Sequence, residues 1–166
     1  MGNIRAMTGS GEIVDFEEEL GHIIAYLQLQ KTRSNKLDFA IECKVKDFRL
    51  PRNTIEPMVE NAVMYGIAGK EGKGNVVVRS YEREEGYAIQ VIDDGVGFDA
   101  GRLKNHSETS LKNLFGILED KCDAMTEIIS KEGKGTVITV IIPMLENELI
   151  DENNEVDEQS DIDINE

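Results

Sequence analysis

Val91-Ile92-Asp93-Asp94-Gly95-Val96-Gly97-Phe98 is the stretch whose reading decides the fold of this chain. The apolar run from Ala88 to Ile92 drives a strand toward the interior, then stops at two carboxylates and two glycines, where a strand should end in a tight, permissive turn. Asp93 would sit at the strand's mouth. An ionised carboxylate there only accepts hydrogen bonds, so it suits a ligand that offers donors. Gly95 and Gly97 remove the side chains that would hold a flat ligand off the backbone. A plain hairpin turn fits the same residues, because Asp-Gly between apolar runs is a strong hairpin signal. The decision between the two lies elsewhere in the chain.

The bulk composition narrows the classes. A chain of 166 residues with 40% hydrophobic content can build one domain with a sizeable core. No apolar run reaches the length needed to span a bilayer, and residues 1–10 lack the basic-then-apolar layout of a signal peptide. The expectation is a soluble, cytoplasmic piece with no direct membrane contact. Cys43 and Cys122 are the two cysteines, far apart and outside any metal-ligand spacing, which argues for a reducing compartment rather than a disulfide framework. The formal charge of -15 argues against nucleic acid and anionic membranes. Ten acidic residues and no Lys or Arg fall in residues 146–166, so the rest of the chain carries only -5 of that -15. This terminal segment, polar and without aromatics, is expected to stay disordered, as an acidic tail over residues 145–166.

Residues 1–15 read as a linker or the remnant of an upstream region, and residues 16–144 as the folded domain. Phe16, Leu20, Ile23, Ile24 and Leu27 fall on one face at helical spacing, opposite Glu17, Glu18 and Glu19, with Asp15 placed as an N-cap and an end near Arg33. If that apolar face is left open, it would pair two copies of the chain through residues 16–33. Leu37, Phe39, Ile41, Cys43 and Val45 alternate with polar residues, the mark of a half-buried strand. Ile55, Met58, Val59, Ala62 and Val63 make a second helical stripe, tolerant of Pro57 in its early turns and stopping at Gly66. Two strand-like runs, 75–81 and 87–92, form an antiparallel hairpin, and residues 99–110 read as a loop. A helix over 111–122 and two strands over 125–130 and 136–142 complete the order. Hairpins rather than repeated crossovers predict an α+β fold: a mixed, mostly antiparallel sheet with helices on one face.

Three polar features stand out against this frame. Asn61 falls on or beside the apolar stripe of the second helix, where a buried amide needs partners. The Asp93-x-Gly95-x-Gly97 turn follows about a hairpin later. A second glycine turn, Gly133-Lys134-Gly135-Thr136, precedes the last strand. In this order they resemble the GHKL group of ATP-binding domains, and within it the sensor histidine kinases of the LytS-like subgroup. The resemblance runs from about residue 16 to 143. LGHIIAYLQLQKTR (20–33) is similar to that subgroup's helix before the catalytic domain, LPRNTIEPMVENAVMYG (50–66) to its N box, 93–98 to its first glycine box and Leu111-Lys112-Asn113 to the end of its second. GKGTVITVIIP (133–143) is like its final turn and strand.

The resemblance implies a Bergerat-type α/β sandwich that binds Mg-ATP between helices and sheet under a lid. Asp93 would take the adenine amino group, with Gly95 and Gly97 admitting the base and Gly135 and Thr136 forming the floor beneath it. Asn61 would hold Mg²⁺, a role that suits an amide oxygen and a hard cation. Lys112 and Asn113, placed at a helix N-terminus, would lie near the phosphates. Glu60 would be the N-box carboxylate that polarises an acceptor. The γ-phosphate would go to a histidine on a separate phosphoacceptor domain, and from there to a response regulator. As the soluble part of a membrane-anchored kinase, the domain would face the cytoplasm.

Several departures from the pattern favour a different reading. Glu108-Thr109-Ser110 stands where the family has a glycine-rich segment, Met64 occupies a position often held by Lys, and neither His22 nor His106 lies in a phosphoacceptor context. Lys70 and Lys73 are the basic residues that could replace the missing phosphate contact. The alternative is a degenerate module of the same fold that binds a partner protein, or binds nucleotide without transferring phosphate.

Overall fold

The computed structural model describes residues 12–98 and 106–144, with the side chains of the second span described from residue 111 onward. Seven strands and three helices follow one another: β1 (Ile13–Asp15), α1 (Phe16–Arg33), β2 (Leu37–Cys43), β3 (Arg49–Pro51), α2 (Glu56–Asn61), β4 (Gly74–Arg83), β5 (Gly86–Asp93), α3 (His106–Cys122), β6 (Met125–Lys131) and β7 (Gly135–Pro143). Between α2 and β4 the helix widens into a π-helical segment, Ala62–Ile67.

The main sheet has the order β2-β4-β5-β7-β6. Only the β2–β4 pair is parallel, and the other three pairs are antiparallel. α2 lies in the connection between those two parallel strands, as a parallel pair requires a crossover. Period-2 alternation turns Val76, Val78, Ile89, Val91, Ile138, Val140 and Ile142 to one face, where they join the apolar faces of all three helices in one core. From α1 come Phe16, Leu20, Ile23 and Leu27, each at most 4% exposed. Phe16, Phe48 and Tyr87 stack in sequence, with ring centroids 4.5 and 4.7 Å apart. The α+β architecture with a mixed sheet and helices on one side is the one expected.

Four expectations are corrected. The face of α1 carrying Phe16, Leu20, Ile23 and Leu27, expected to be open for a second copy, is buried in the chain's own core. The helix expected from residue 111 starts at His106, within what was read as a loop over 99–110; residues 99–105 lie outside the described residues. Ile13–Asp15, read as linker, pairs antiparallel with Arg49–Pro51 to make a two-stranded ribbon. Three-residue strands carry too little alternation to announce themselves. Finally, Asp15 makes no side-chain cap hydrogen bond and instead meets Arg49 at 3.3 Å.

Candidate functional site

Asp93 is the last residue of β5, the central strand, and sits in register between Val76 of β4 and Thr136 of β7. Position at a strand end in mid-sheet buries its carboxyl to 4% exposure. Oδ1 accepts the Gly95 amide at 2.8 Å, the geometry of an Asx turn. Burial pushes the Asp93 carboxyl up to about 6, and neighbouring Asp94 adds to the rise, while the amides of Gly95 and Thr136 and the charge of Lys70 oppose it. Asp94 has the opposite environment. It accepts the Asn75 amide at 2.7 Å and meets Lys70 at 3.4 Å, which together hold its carboxyl below the usual range despite some burial.

The close packing around Asp93 depends on glycines. A Cβ on Gly66 would lie 2.6 Å from Asp93 Oδ1, and one on Gly95 would run into the Gly66 carbonyl carbon. Gly135, at φ +96°, brings its Cα against the Asp93 carbonyl, where a Cβ could not fit. The π-helical turn delivers Gly66: Ala68 N–H reaches back five residues to the Val63 carbonyl at 3.0 Å, and Val96 N–H then donates to the Gly66 carbonyl at 3.1 Å. Gly66, read from sequence only as a helix stop, is thus a wall of the site. The signal was its place five residues after Asn61, on the same helix.

The second glycine turn closes the other side. Gly133 N–H donates to the Val96 carbonyl at 2.7 Å, and Phe98 N–H donates to Ser130 Oγ at 2.9 Å. Ser130 Oγ also lies 2.7 Å from Thr136 Oγ1 and donates to the Gly135 carbonyl at 3.1 Å. Thr136, 4% exposed, is therefore fixed beside Asp93 by a residue that sequence reasoning passed over. Gly97 adopts φ +63°, the left-handed conformation that glycine supplies without strain. The segment 93–98 is consequently no hairpin turn: it runs from β5 between the π-helical turn and the β6–β7 turn.

Asn61 ends the regular part of α2 at 6% exposure. Among the described residues its Oδ1 is the one buried side-chain oxygen or nitrogen without a hydrogen-bond partner. An orphaned buried acceptor costs on the order of 1–3 kcal/mol, so a site that retains one fits an incoming donor or cation. No group of three His, Cys, Asp or Glu side chains able to hold a metal exists among the described residues. Glu60, half-buried, is pushed up first by burial and then by Glu56 beside it, so it holds a proton more readily than an ordinary glutamate.

Lys112 and Asn113 are not at a helix N-terminus. Starting at His106, α3 places both in its second turn, exposed, with Asn113 lining a groove of about 310 Å³ together with Pro51, Thr54, Pro57 and Leu118. Glu108-Thr109-Ser110 lies in the preceding turn, and its side chains are outside the described residues. Met64 is 58% exposed. Lys70 is engaged with Asp94, and His22 is exposed on α1. A separate recess of about 590 Å³, beside Lys46, Asp47, Arg49 and Tyr87, contains none of the candidate residues.

The fold is that of the catalytic domains of histidine kinases. The catalytic domain of histidine kinase ThkA superposes with a TM-score of 0.61 at 19% identity, over 80% of this chain and 95% of that one. The Erythrobacter litoralis EL346 blue-light activated histidine kinase gives a TM-score of 0.63 at 17% identity, over 82% and 44%. No protein-family model matches the chain. In sequence it is 33% identical over 144 residues to the putative uncharacterized protein YwpD of Bacillus subtilis, covering 81% of this chain and 51% of that protein. It is 30% identical over 148 residues to the sensor protein LytS of Bacillus anthracis, covering 79% and 25%. The chain thus spans about half the length of the first relative and a quarter of the second. It belongs with the GHKL-type histidine kinase ATPase domains of the LytS type.

Proposed function

We propose that this domain binds Mg-ATP at Asp93 and Asn61 and presents the γ-phosphate to a histidine outside residues 16–144. The observation that carries the proposal is a buried, glycine-walled carboxylate together with a buried amide oxygen that has no partner, on the helix whose π-helical continuation packs against that carboxylate. Asp93, ionised above about pH 6, accepts the exocyclic amino group of the base, and Gly66, Gly95 and Gly97 let the surrounding backbone pack closely enough to shape that site. Thr136, tethered to Ser130, keeps the adjoining floor fixed. Asn61 Oδ1 supplies one oxygen to Mg²⁺. The bound nucleotide supplies the phosphoryl group, whose transfer is chiefly a matter of positioning and charge neutralisation. Glu60, with its raised proton affinity, is placed on the same helix to hold the proton of an acceptor. Lys112 and Asn113, exposed on the second turn of α3, are the side chains of that helix offered to the phosphates. The response regulator is the downstream partner, a reading supported by the solved complex of histidine kinase ThkA with response regulator protein TrrA. Among the described residues no helix is long and apolar enough to cross a membrane, and the domain works on the cytoplasmic side as part of a longer kinase.

Calorimetric titration of ATP with and without Mg²⁺ tests this directly. The wild-type chain should bind in the micromolar range with Mg²⁺ strengthening it. Asn61→Ala should lose the Mg²⁺ effect while remaining folded, because the deleted oxygen satisfies nothing in the free chain. A folded wild-type chain that fails to bind at millimolar ATP would overturn the proposal and leave a partner-binding module.

A further inference from the structure

The turn that starts the Asn61 helix is held from behind by a buried acid to which the phosphotransfer described above assigns no role. Glu19, on α1, is 5% exposed, and its Oε1 accepts the Asn53 amide at 2.7 Å. The Thr54 amide also hydrogen-bonds this carboxylate. Asn53 takes φ +64°, and the Thr54 hydroxyl donates to the Pro51 carbonyl at 2.6 Å, so the turn is tightly closed on itself. Besides the β1–β3 pairing and the buried Leu50 and Ile55 on either side of it, the turn is attached to α1 through Glu19. Ile55, at the N-cap of α2, offers no side-chain acceptor, so an acid 34 residues upstream serves the amides that lead into the helix.

The surroundings reinforce this attachment. The Arg52 amide donates to the Glu12 carbonyl at 2.6 Å, and the Arg52 guanidinium lies 2.8 Å from Glu12 and 3.8 Å from Glu18. Those ion pairs are solvent-facing and individually weak. Glu19 is the most buried member of the group, and removal of its acceptor leaves the Asn53 amide without this partner. α2 has only six residues before its π-helical turn, too few to hold its own position. Met58 and Val59 bury it in the core, and its two ends are held by Gly66 against Asp93 and by the Pro51–Thr54 turn against Glu19. On its other side that turn forms the groove with Asn113, Leu114 and Leu118 of α3.

We propose that Glu19 is a positioning residue: its buried carboxylate ties α1 to the turn at residues 51–54 and thereby sets where Asn61 stands relative to Asp93. The inference rests on the Mg-ATP reading for its consequence, but the tie itself does not. Its test is hydrogen exchange and calorimetry on the full chain with Glu19→Leu and Glu19→Gln. In the nucleotide-free Leu variant, amides of residues 53–62 should exchange about tenfold faster while those of β5 and β7 keep their protection. Mg-ATP should bind about tenfold more weakly while adenosine, which needs only the Asp93 side, changes less than about twofold. Glu19→Gln keeps an acceptor oxygen and should restore both readouts. Unchanged exchange over residues 53–62, a uniform rise across the sheet, or equal losses for adenosine and Mg-ATP would each overturn the inference. If the wild-type chain binds no nucleotide, the function reading falls and the exchange comparison alone decides this one. Should the Leu variant not fold, Glu19→Asp, which keeps the charge but not the reach, must show the same local exchange pattern.

Discussion

Replacing Asp93 by Asn should make the nucleotide-free domain more stable while abolishing its binding of adenine nucleotides. The carboxyl is raised from an ordinary 3.8 to about 6, chiefly by burial. A group raised in the folded state contributes stability that is fully present below its unfolded value and lost as pH rises through its folded value. At pH 8 the ionised Asp93 therefore costs about 3 kcal/mol relative to a neutral group. Asn removes the charge and keeps an oxygen for the Gly95 amide. At pH 4.5 the folded carboxyl is already protonated, and the same linkage leaves a cost of about 1 kcal/mol. Urea unfolding followed by far-UV circular dichroism should show Asp93→Asn more stable than wild type by up to about 3 kcal/mol at pH 8, roughly 10 °C in melting temperature. The advantage should shrink by about 2 kcal/mol at pH 4.5. An Asn variant no more stable than wild type at pH 8, or a difference that does not move with pH, would refute the argument that burial of this carboxylate is strain kept for a ligand.

Two further substitutions probe the walls and the core. Gly66→Ala places a methyl 2.6 Å from Asp93 Oδ1 and should cost about 1–3 kcal/mol in urea unfolding, with nucleotide affinity falling more steeply than stability. Leu27→Ala, at a site 0% exposed on the inner face of α1, should cost about 2–5 kcal/mol by the same assay and leave the affinity of the folded fraction unchanged.

Much of the architecture was legible because it follows from periodicity. The 3.6-residue stripe through Phe16, Leu20, Ile23 and Leu27 marked a helix with one apolar face, and its bounds came out at Phe16–Arg33. Alternation at residues 75–81 and 87–92 made the β4–β5 hairpin, and Asp93 had to fall at a strand mouth because the apolar run ended there. The helix start at His106 was not legible, since the polar residues 106–110 show no stripe of their own. Nor were β1 and β3, whose pairing is decided by partners 34 or more residues apart.

By itself, then, the sequence determined most of the elements, because periodicity is written in neighbours, while its resemblance to the GHKL kinases gathered Asn61, Asp93, Gly95, Gly97 and Thr136 into one candidate site. Only the tertiary structure decided what surrounds them. Gly66 walls Asp93 because a π-helical turn delivers its backbone there, Ser130 fixes Thr136 across a strand pair, and Glu19 reaches the Asn53 amide from another helix. The same three-dimensional packing moved Lys112 and Asn113 away from a helix N-terminus and buried the face of α1 that could have paired two copies. Contacts of this kind depend on which surfaces meet when the helices close on the sheet, and no periodicity along the chain encodes that meeting.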